Sequence, residues 1–252
     1  MRISLVSDAH VRGFHDIHQN DLVELLRRWP TDAWVFAGDI FDVWWGFPHT
    51  VFSAGIPLLA AIGDLRRQGV SITWIRGNHD FDLGSTLTDE LGVEVVDRWT
   101  YGSKLRFLAV HGDQADPSLR QRALGYVARH RWTASALRLA GPDRSWRWLT
   151  AASHASRATQ PPTVDRVLAD QRAWVDRVLG DTADVVFTGH SHAPGIEERP
   201  HGTWVNLGDW LHHRTFATID DEDFALWAWG GTVQLPVVGR PRRRPELVQS
   251  PP

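Results

Sequence analysis

The segment Ala33-Trp-Val-Phe-Ala-Gly-Asp-Ile-Phe-Asp42 decides the fold: an apolar run passes directly into glycine and a pair of carboxylates, Asp39 and Asp42. A short apolar run bounded in this way reads as a buried strand. A carboxylate at the end of a buried strand is costly unless paired, so positive charge is expected opposite Asp39 and Asp42. The same order of events recurs along the chain. Arg2-Ile-Ser-Leu-Val-Ser7 leads into Asp8-Ala9-His10, and Ser71-Ile-Thr-Trp-Ile75 leads into Gly77-Asn78-His79-Asp80. Arg106-Phe-Leu-Ala-Val110 leads into His111-Gly112-Asp113, and Asp184-Val-Val-Phe-Thr188 into Gly189-His190-Ser191-His192. Loops beyond the carboxyl ends of parallel strands lie on one edge of an open α/β sheet. These polar clusters are therefore expected to converge on one place in an α/β fold.

Between the strands, Asn20-Asp21 is expected to cap a helix through Leu22, Leu25 and Leu26 that Pro30 stops. Phe52 to Arg67 reads as a second helix closed by Gly69, and Thr163 to Leu179 as another closed by Gly180. After His192 come short alternating segments, Thr203–Asn206, Thr215–Thr218, Phe224–Trp227 and Thr232–Leu235, which suggest an antiparallel β layer. One domain is expected over residues 1–238, followed by an arginine- and proline-rich tail, 239–252, read as disordered.

The chain has 252 residues and a formal net charge of −3, which gives no global basic character, and no nucleic-acid partner is expected. It has no cysteine, so disulfides, thiolate metal sites and cysteine nucleophiles are excluded, and any metal must be held by oxygen and nitrogen. The N-terminal apolar run is too short for a signal peptide, and Gly55–Gly63 is far short of a membrane span. A cytoplasmic location is expected, with room for peripheral contact on the inner face of the membrane. The sequence sets no oligomeric state.

Singly, each polar cluster has a local explanation as a helix cap, an Asx-turn or a structural histidine. Together, Asp8, His10, Asp39, Asn78, His111, His190 and His192 make an edge that needs cations to hold it together. Carboxylate, amide and imidazole donors suit manganese first, and also iron or zinc. Two ions about 3.5–4 Å apart would use the whole set, with one carboxylate bridging.

The ordered set Asp8-x-His10, Gly38-Asp39-x-x-Asp42, Gly77-Asn78-His79-Asp80, His111-Gly112-Asp113 and Gly189-His190-x-His192 resembles the motif series of calcineurin-like metallophosphoesterases. The resemblance implies a four-layer α-β-β-α sandwich with a dinuclear site. By analogy Asp8, His10, Asp39 and His192 would hold one ion, and Asp39, Asn78, His111 and His190 the other. The resemblance further implies that His79 acts as general acid or transition-state stabiliser, with Asp42 as its orienting partner.

Asp42-Val43-Trp44-Trp45-Gly46 and Asn206-Leu-Gly-Asp-Trp210 resemble segments of the UDP-2,3-diacylglucosamine diphosphatases of the lipid A pathway, which cut a pyrophosphate to release UMP and a lipid monophosphate. That likeness implies a phosphorylated, acylated nucleotide-sugar as substrate partner. Trp44 and Trp45 read equally as substrate contacts or as core, since the chain has 14 tryptophans. Residues 114–160, between the fourth and fifth motifs, carry many arginines interleaved with apolar residues. They read as a helical lid, a membrane-surface contact or plain packing. Asp116 and Arg157 are substrate-contact candidates there. The best-known lipid-pathway form has arginine where this chain has His79, and the lysine expected in its lid is missing, Lys104 being the only lysine. Two other readings stay open: hydrolysis of another phosphomonoester, phosphodiester or nucleotide, and a non-catalytic scaffold of the same fold. The remaining histidines, including His212 and His213, read as surface or local hydrogen-bonding groups.

Overall fold

The computed structural model describes residues 1–102, 104–115, 131–158, 163–230 and 238–239. Its first sheet is built around parallel strands β1 (Arg2–Val6), β2 (Ala33–Phe36), β4 (Ser71–Ile75) and β6 (Glu94–Val96). Beside β1 it continues antiparallel through β12 (Thr215–Asp220), β13 (Asp223–Ala228) and the short β14 (Val238–Gly239). The second sheet has the order β10 (Gly195–Arg199), β11 (Gly202–Asn206), β9 (Val185–Thr188), β8 (Phe107–Ala109) and β7 (Trp99–Tyr101). A small parallel ladder, β3 (Trp44–Trp45) with β5 (Asp80–Asp82), sets the Trp-Trp segment directly beside the end of the Gly77–Asp80 motif.

The alternation of side chains along each strand builds the layers. On β2, Trp34 and Phe36 join the cluster that packs on helices α1 (Ile17–Arg28) and α2 (Ile56–Arg67), while Ala33 and Val35 face the second sheet. On the second sheet, Phe107, Ala109 and Phe187 fill the space between the sheets. Leu108 and Val186 pack outward with Val175 and Leu179 against α5 (Val164–Val178). Helix, sheet, sheet and helix thus form the α-β-β-α sandwich.

Between β8 and α5 the described residues form α3 (Arg131–Ala140) and α4 (Pro142–Ala158), joined at Gly141, where φ is +81°. Leu137 and Leu149 of this helical pair pack with Trp45, Phe47, Phe52 and Phe81. Trp146 lies 4.6 Å from Phe52, ring centre to ring centre, and Arg138 reaches Asp82 at 3.7 Å.

Several local expectations need correction. Helix α1 starts a turn before Asn20: Asp16 is the cap, accepting the backbone N–H of His18 at 2.9 Å and of Arg12 at 3.0 Å. The second helix opens at Ser53–Gly55 as a tight 3-10 turn, because Pro57 has no N–H to bond back to Ser53. The late segments do not form one antiparallel layer. β11 runs parallel to β9 in the second sheet, whereas β12 and β13 extend the first. Thr232–Leu235 lies outside the described residues, as does the tail beyond Gly239.

Candidate metal centre

The parallel strands β1, β2 and β4, and β8 and β9 in the second sheet, end on the same edge, and their loops are tied across one another. Asp8 N–H donates to Gly38 C=O at 3.1 Å, His10 N–H to Asp39 C=O at 3.0 Å, and Gly189 N–H to His111 C=O at 2.8 Å. Two carboxylates repeat the pattern. Asp8 Oδ2 accepts the His190 N–H at 2.8 Å as well as the Ser7 hydroxyl, and Asp39 Oδ1 accepts the His79 N–H at 2.8 Å. Each therefore spends one oxygen on the fold and turns the other inward. Asp8 Oδ1 faces His192 Nε2 at 3.2 Å without an aligned hydrogen bond, and Asp39 Oδ2 lies 3.3 Å from His111 Nε2.

The close approach of the loops depends on glycines. A Cβ on Gly38 would sit 2.5 Å from His111 Nδ1, and one on Gly77 would collide with the Asp39 carboxylate. The ligand candidates themselves are strained. Asp8, His10, Asp39, His190 and His192 have φ of 52°, 43°, 54°, 68° and 57°, and the only other non-glycine residues at positive φ among those described are Arg214 and Asp221. Such a conformation costs a side-chain-bearing residue about 1–2 kcal/mol, and strain of this kind collects at functional sites.

Inward-facing atoms of Asp8, His10 and His192 lie within 4.8 Å of one another, as do those of Asp39, His111 and His190, and those of His10, Asp39 and His79. Asn78 Oδ1 adds to the second group, 3.2 Å from His111 Nε2. The predicted ligand residues are thus gathered in one buried cluster. Asp8, Asp39 and His111 are nearly inaccessible to solvent, and Asp8 Oδ1 and His10 Nδ1 have no hydrogen-bond partner among the described residues. Orphaned oxygen and nitrogen donors in a buried, acidic pocket fit a divalent cation well.

The electrostatics carry the same message. Burial pushes the His10 imidazole down to about 4, outweighing the pull of Asp39 and Asp8. For His111, burial would lower the pKa, but the Asp39 carboxylate beside it holds the ring well above the ordinary histidine range. Burial would raise Asp8, yet His111 and His192 bring it to about 2. Burial and the neighbouring Asp39 push Asp80 up to about 6. Without a metal, protons on His111 and His192 do the work of cations. Those protons must leave before the rings can act as ligands, so metal affinity rises with pH. Manganese titrations by calorimetry from pH 6 to 8 are expected to show tightening affinity and proton release; a pH-independent constant would contradict this picture.

His79 Nδ1 donates to the Asp42 backbone carbonyl at 2.8 Å, which leaves Nε2 directed into the site, 4.0 Å from Asp39 Oδ2. The link from Asp42 therefore runs through its main chain. The Asp42 carboxylate lies 3.5 Å from Arg12 Nε and 3.9 Å from His10 Nδ1.

Trp44 is buried in the main core, stacked on Phe41 with its Nε1–H donating to Leu83 C=O at 3.0 Å. Trp45 is also buried, beneath the helical pair, where it borders a cavity of about 430 Å³ shared with Arg76, Phe81 and Leu83. Asp116 lies outside the described residues, as does the side chain of Arg157.

Three residues at the site were not singled out from sequence. Asp80 Oδ2 accepts N–H groups from Gly77, Asp39 and the Trp74 indole, locking two motif loops together. Arg12 flanks Asp42. Gln171 on α5 donates to Gly189 C=O at 2.9 Å, fastening the His190–His192 loop from behind. The buried aspartate of Gly-Asn-His-Asp was the one available signal, whereas Gln171 lies far from every motif.

The sequence model of the calcineurin-like phosphoesterase family matches residues 1–194. The chain is 31% identical over 224 residues to a UDP-2,3-diacylglucosamine hydrolase of Bordetella parapertussis, covering 82% of this chain and 84% of that protein. It is 28% identical to one from Neisseria meningitidis (85% and 91% covered) and 24% identical to one from Porphyromonas gingivalis (89% and 96%).

Proposed function

The chain belongs to the calcineurin-like phosphoesterase family and is a phosphoester hydrolase; from that premise we propose that it uses a dinuclear metal site to cleave the pyrophosphate of an acylated UDP-sugar of the UDP-2,3-diacylglucosamine type, releasing UMP and a lipid monophosphate. Asp8, His10, Asp39 and His192 would hold one ion, and Asp39, Asn78, His111 and His190 the other, with Asp39 as the bridge. The observation that carries this reading is the placement of Asp8, His10, Asp39, His190 and His192 in left-handed backbone conformations around one buried cluster, in which Asp8 Oδ1 and His10 Nδ1 have no hydrogen-bond partner among the described residues. When bound, two divalent cations supply Lewis acidity at the phosphoryl group and an activated nucleophile at neutral pH. His79, anchored at Nδ1 by the Asp42 carbonyl, presents Nε2 to protonate the departing oxygen.

The substrate assignment rests on the curated relatives and on the helical pair α3–α4, which packs over Trp45 and Phe81 beside the site. In this reading the helical pair α3–α4 forms a lid, and its outer face meets the anionic inner membrane surface; residues 116–130, 159 and 160 of the 114–160 segment lie outside the described residues. Trp132, Leu139 and Trp148 are exposed there at 72%, 89% and 57%, alongside exposed Arg138, Arg144 and Arg147. Among the described residues no helix is long and apolar enough to cross a membrane. Replacing Trp132 and Trp148 together by Glu is expected to abolish co-sedimentation with anionic lipid vesicles, and retained binding would remove the membrane contact.

The deciding assay is UMP release from an acylated UDP-sugar in detergent with manganese. The expected result is a kcat/KM for that substrate at least ~10²-fold above those for nitrophenyl phosphates and cyclic nucleotides, a ratio worth about 2.7 kcal/mol. The reverse preference would assign the site to another phosphoester.

A further inference from the structure

The loop 207–214, between β11 and β12, runs beside the cluster and is tied to it at Asp8. Its backbone is fastened on several sides: Leu207 N–H donates to Thr188 C=O at 2.7 Å, and Trp210 N–H to Asp8 C=O at 3.1 Å. The Trp210 indole donates to His18 C=O at 2.8 Å. Inside this frame sits Asp209, fully buried at 0% exposure. A buried carboxylate is kept only where something satisfies or uses its charge.

Asp209 Oδ1 accepts the His212 N–H at 2.5 Å, and Oδ2 lies 2.7 Å from His213 Nδ1. The same Oδ2 lies 4.0 Å from His192 Nδ1. His192 presents its other nitrogen, Nε2, to Asp8 Oδ1 at 3.2 Å. The imidazole therefore stands between two carboxylates, one per ring nitrogen, and among the described residues these are the only carboxylates within 4.0 Å of it. A histidine that gives one nitrogen to a cation is oriented, and its tautomer fixed, by an acceptor at the other.

We propose that Asp209 is the positioning carboxylate of His192, and that His213 holds the Asp209 side chain in place from the solvent side. At 4.0 Å the Asp209–His192 pair falls short of a hydrogen bond. The bond closes when Nε2 is committed to a cation and the Nδ1 proton needs an acceptor. His213, 46% exposed, then shares Oδ2 with His192 and keeps the carboxylate from turning away. This inference rests on the dinuclear reading above. It adds a residue outside the predicted ligand set, and it makes the two ion sites unequal, since only the one containing His192 depends on Asp209.

The test uses the full chain, metal-free, titrated with manganese and followed by electron paramagnetic resonance of the free ion and by calorimetry. Wild type is expected to bind two ions. Asp209→Asn, which keeps an acceptor oxygen for the His212 N–H, is expected to weaken one of the two binding steps about 10–100-fold and to leave the other nearly unchanged. His213→Ala, at a half-exposed position, should weaken the same step by a smaller factor. Long-range ¹H–¹⁵N spectra of zinc-loaded wild type should show His192 protonated at Nδ1. Unchanged affinities in both variants would overturn the proposal, as would equal weakening of both steps with an early melt, the mark of a purely structural loop clamp. Should wild type bind fewer than two ions, the dinuclear reading fails instead. Asp209 is then judged on whether the Nδ1 proton of His192 is seen in wild type and lost in Asp209→Asn.

Discussion

Replacing Asp39 by Asn is expected to lower turnover at least ~10³-fold, about 4 kcal/mol of transition-state stabilisation, and to leave the purified protein with at most one tightly held ion. Asp39 divides its oxygens between two tasks. Oδ1 accepts the His79 N–H and ties the second motif loop to the third, and Oδ2 faces His111 at 3.3 Å. An amide oxygen preserves the first task, so the variant should fold. What disappears is the buried negative charge that the clustered histidines and any cations share, and removing one partner from such a set typically costs about 3–5 kcal/mol. Metal analysis and thermal melts separate the effects. Manganese at about 100 times its dissociation constant should stabilise wild type by about 2.7 kcal/mol for each bound ion, and the variant should lose the gain from at least one. A variant that retains two ions and near-normal turnover would remove Asp39 as the bridge.

His79→Ala should depress turnover by about 10²–10⁴-fold, the range of a lost general acid, while the metal content stays at the wild-type value. The geometry makes this a discriminating experiment. His79 Nε2 lies close enough to His10 and Asp39 to be counted with them as a ligand group, yet its Nδ1 is held by the Asp42 carbonyl at 2.8 Å, which fixes the proton on that nitrogen. With Nδ1 committed to the carbonyl, Nε2 is the ring atom left to face the departing oxygen, and alanine removes it without touching the predicted ligands. Loss of an ion would instead make His79 a ligand. Because the anchor is a main-chain carbonyl, Asp42→Asn should be far milder than His79→Ala.

The motif loops were legible because the chemistry demands particular side chains at strand ends. The runs ending at Ser7, Ala37, Ile75, Val110 and Thr188 each hand over to polar residues that structure alone does not require. Interactions made by the main chain left no such trace. Asp42 reads as a carboxylate partner for His79, but its carbonyl makes the bond. Asp16 and Asn20 are equivalent caps on paper, and the Arg12 N–H that also needs Asp16 decides between them. Segments after His192 alternate alike, and only the parallel pairing of β11 with β9 divides them between sheets. Asp209 and Gln171 act across long sequence separations, the second through a bond to Gly189, and no local pattern marks such a contact.

The left-handed backbone at Asp8, His10, Asp39, His190 and His192 has a consequence for anyone engineering the protein. Glycine is at ease where these residues are strained, so a screen for heat resistance run with a chelator would reward glycine at His10 or His190, each gaining on the order of 1 kcal/mol, but not at Asp8 or Asp39, whose carboxylates tie the loops together. Run with manganese, the same screen would discard them. The choice of buffer would decide whether such a campaign yields a tougher enzyme or an inert scaffold.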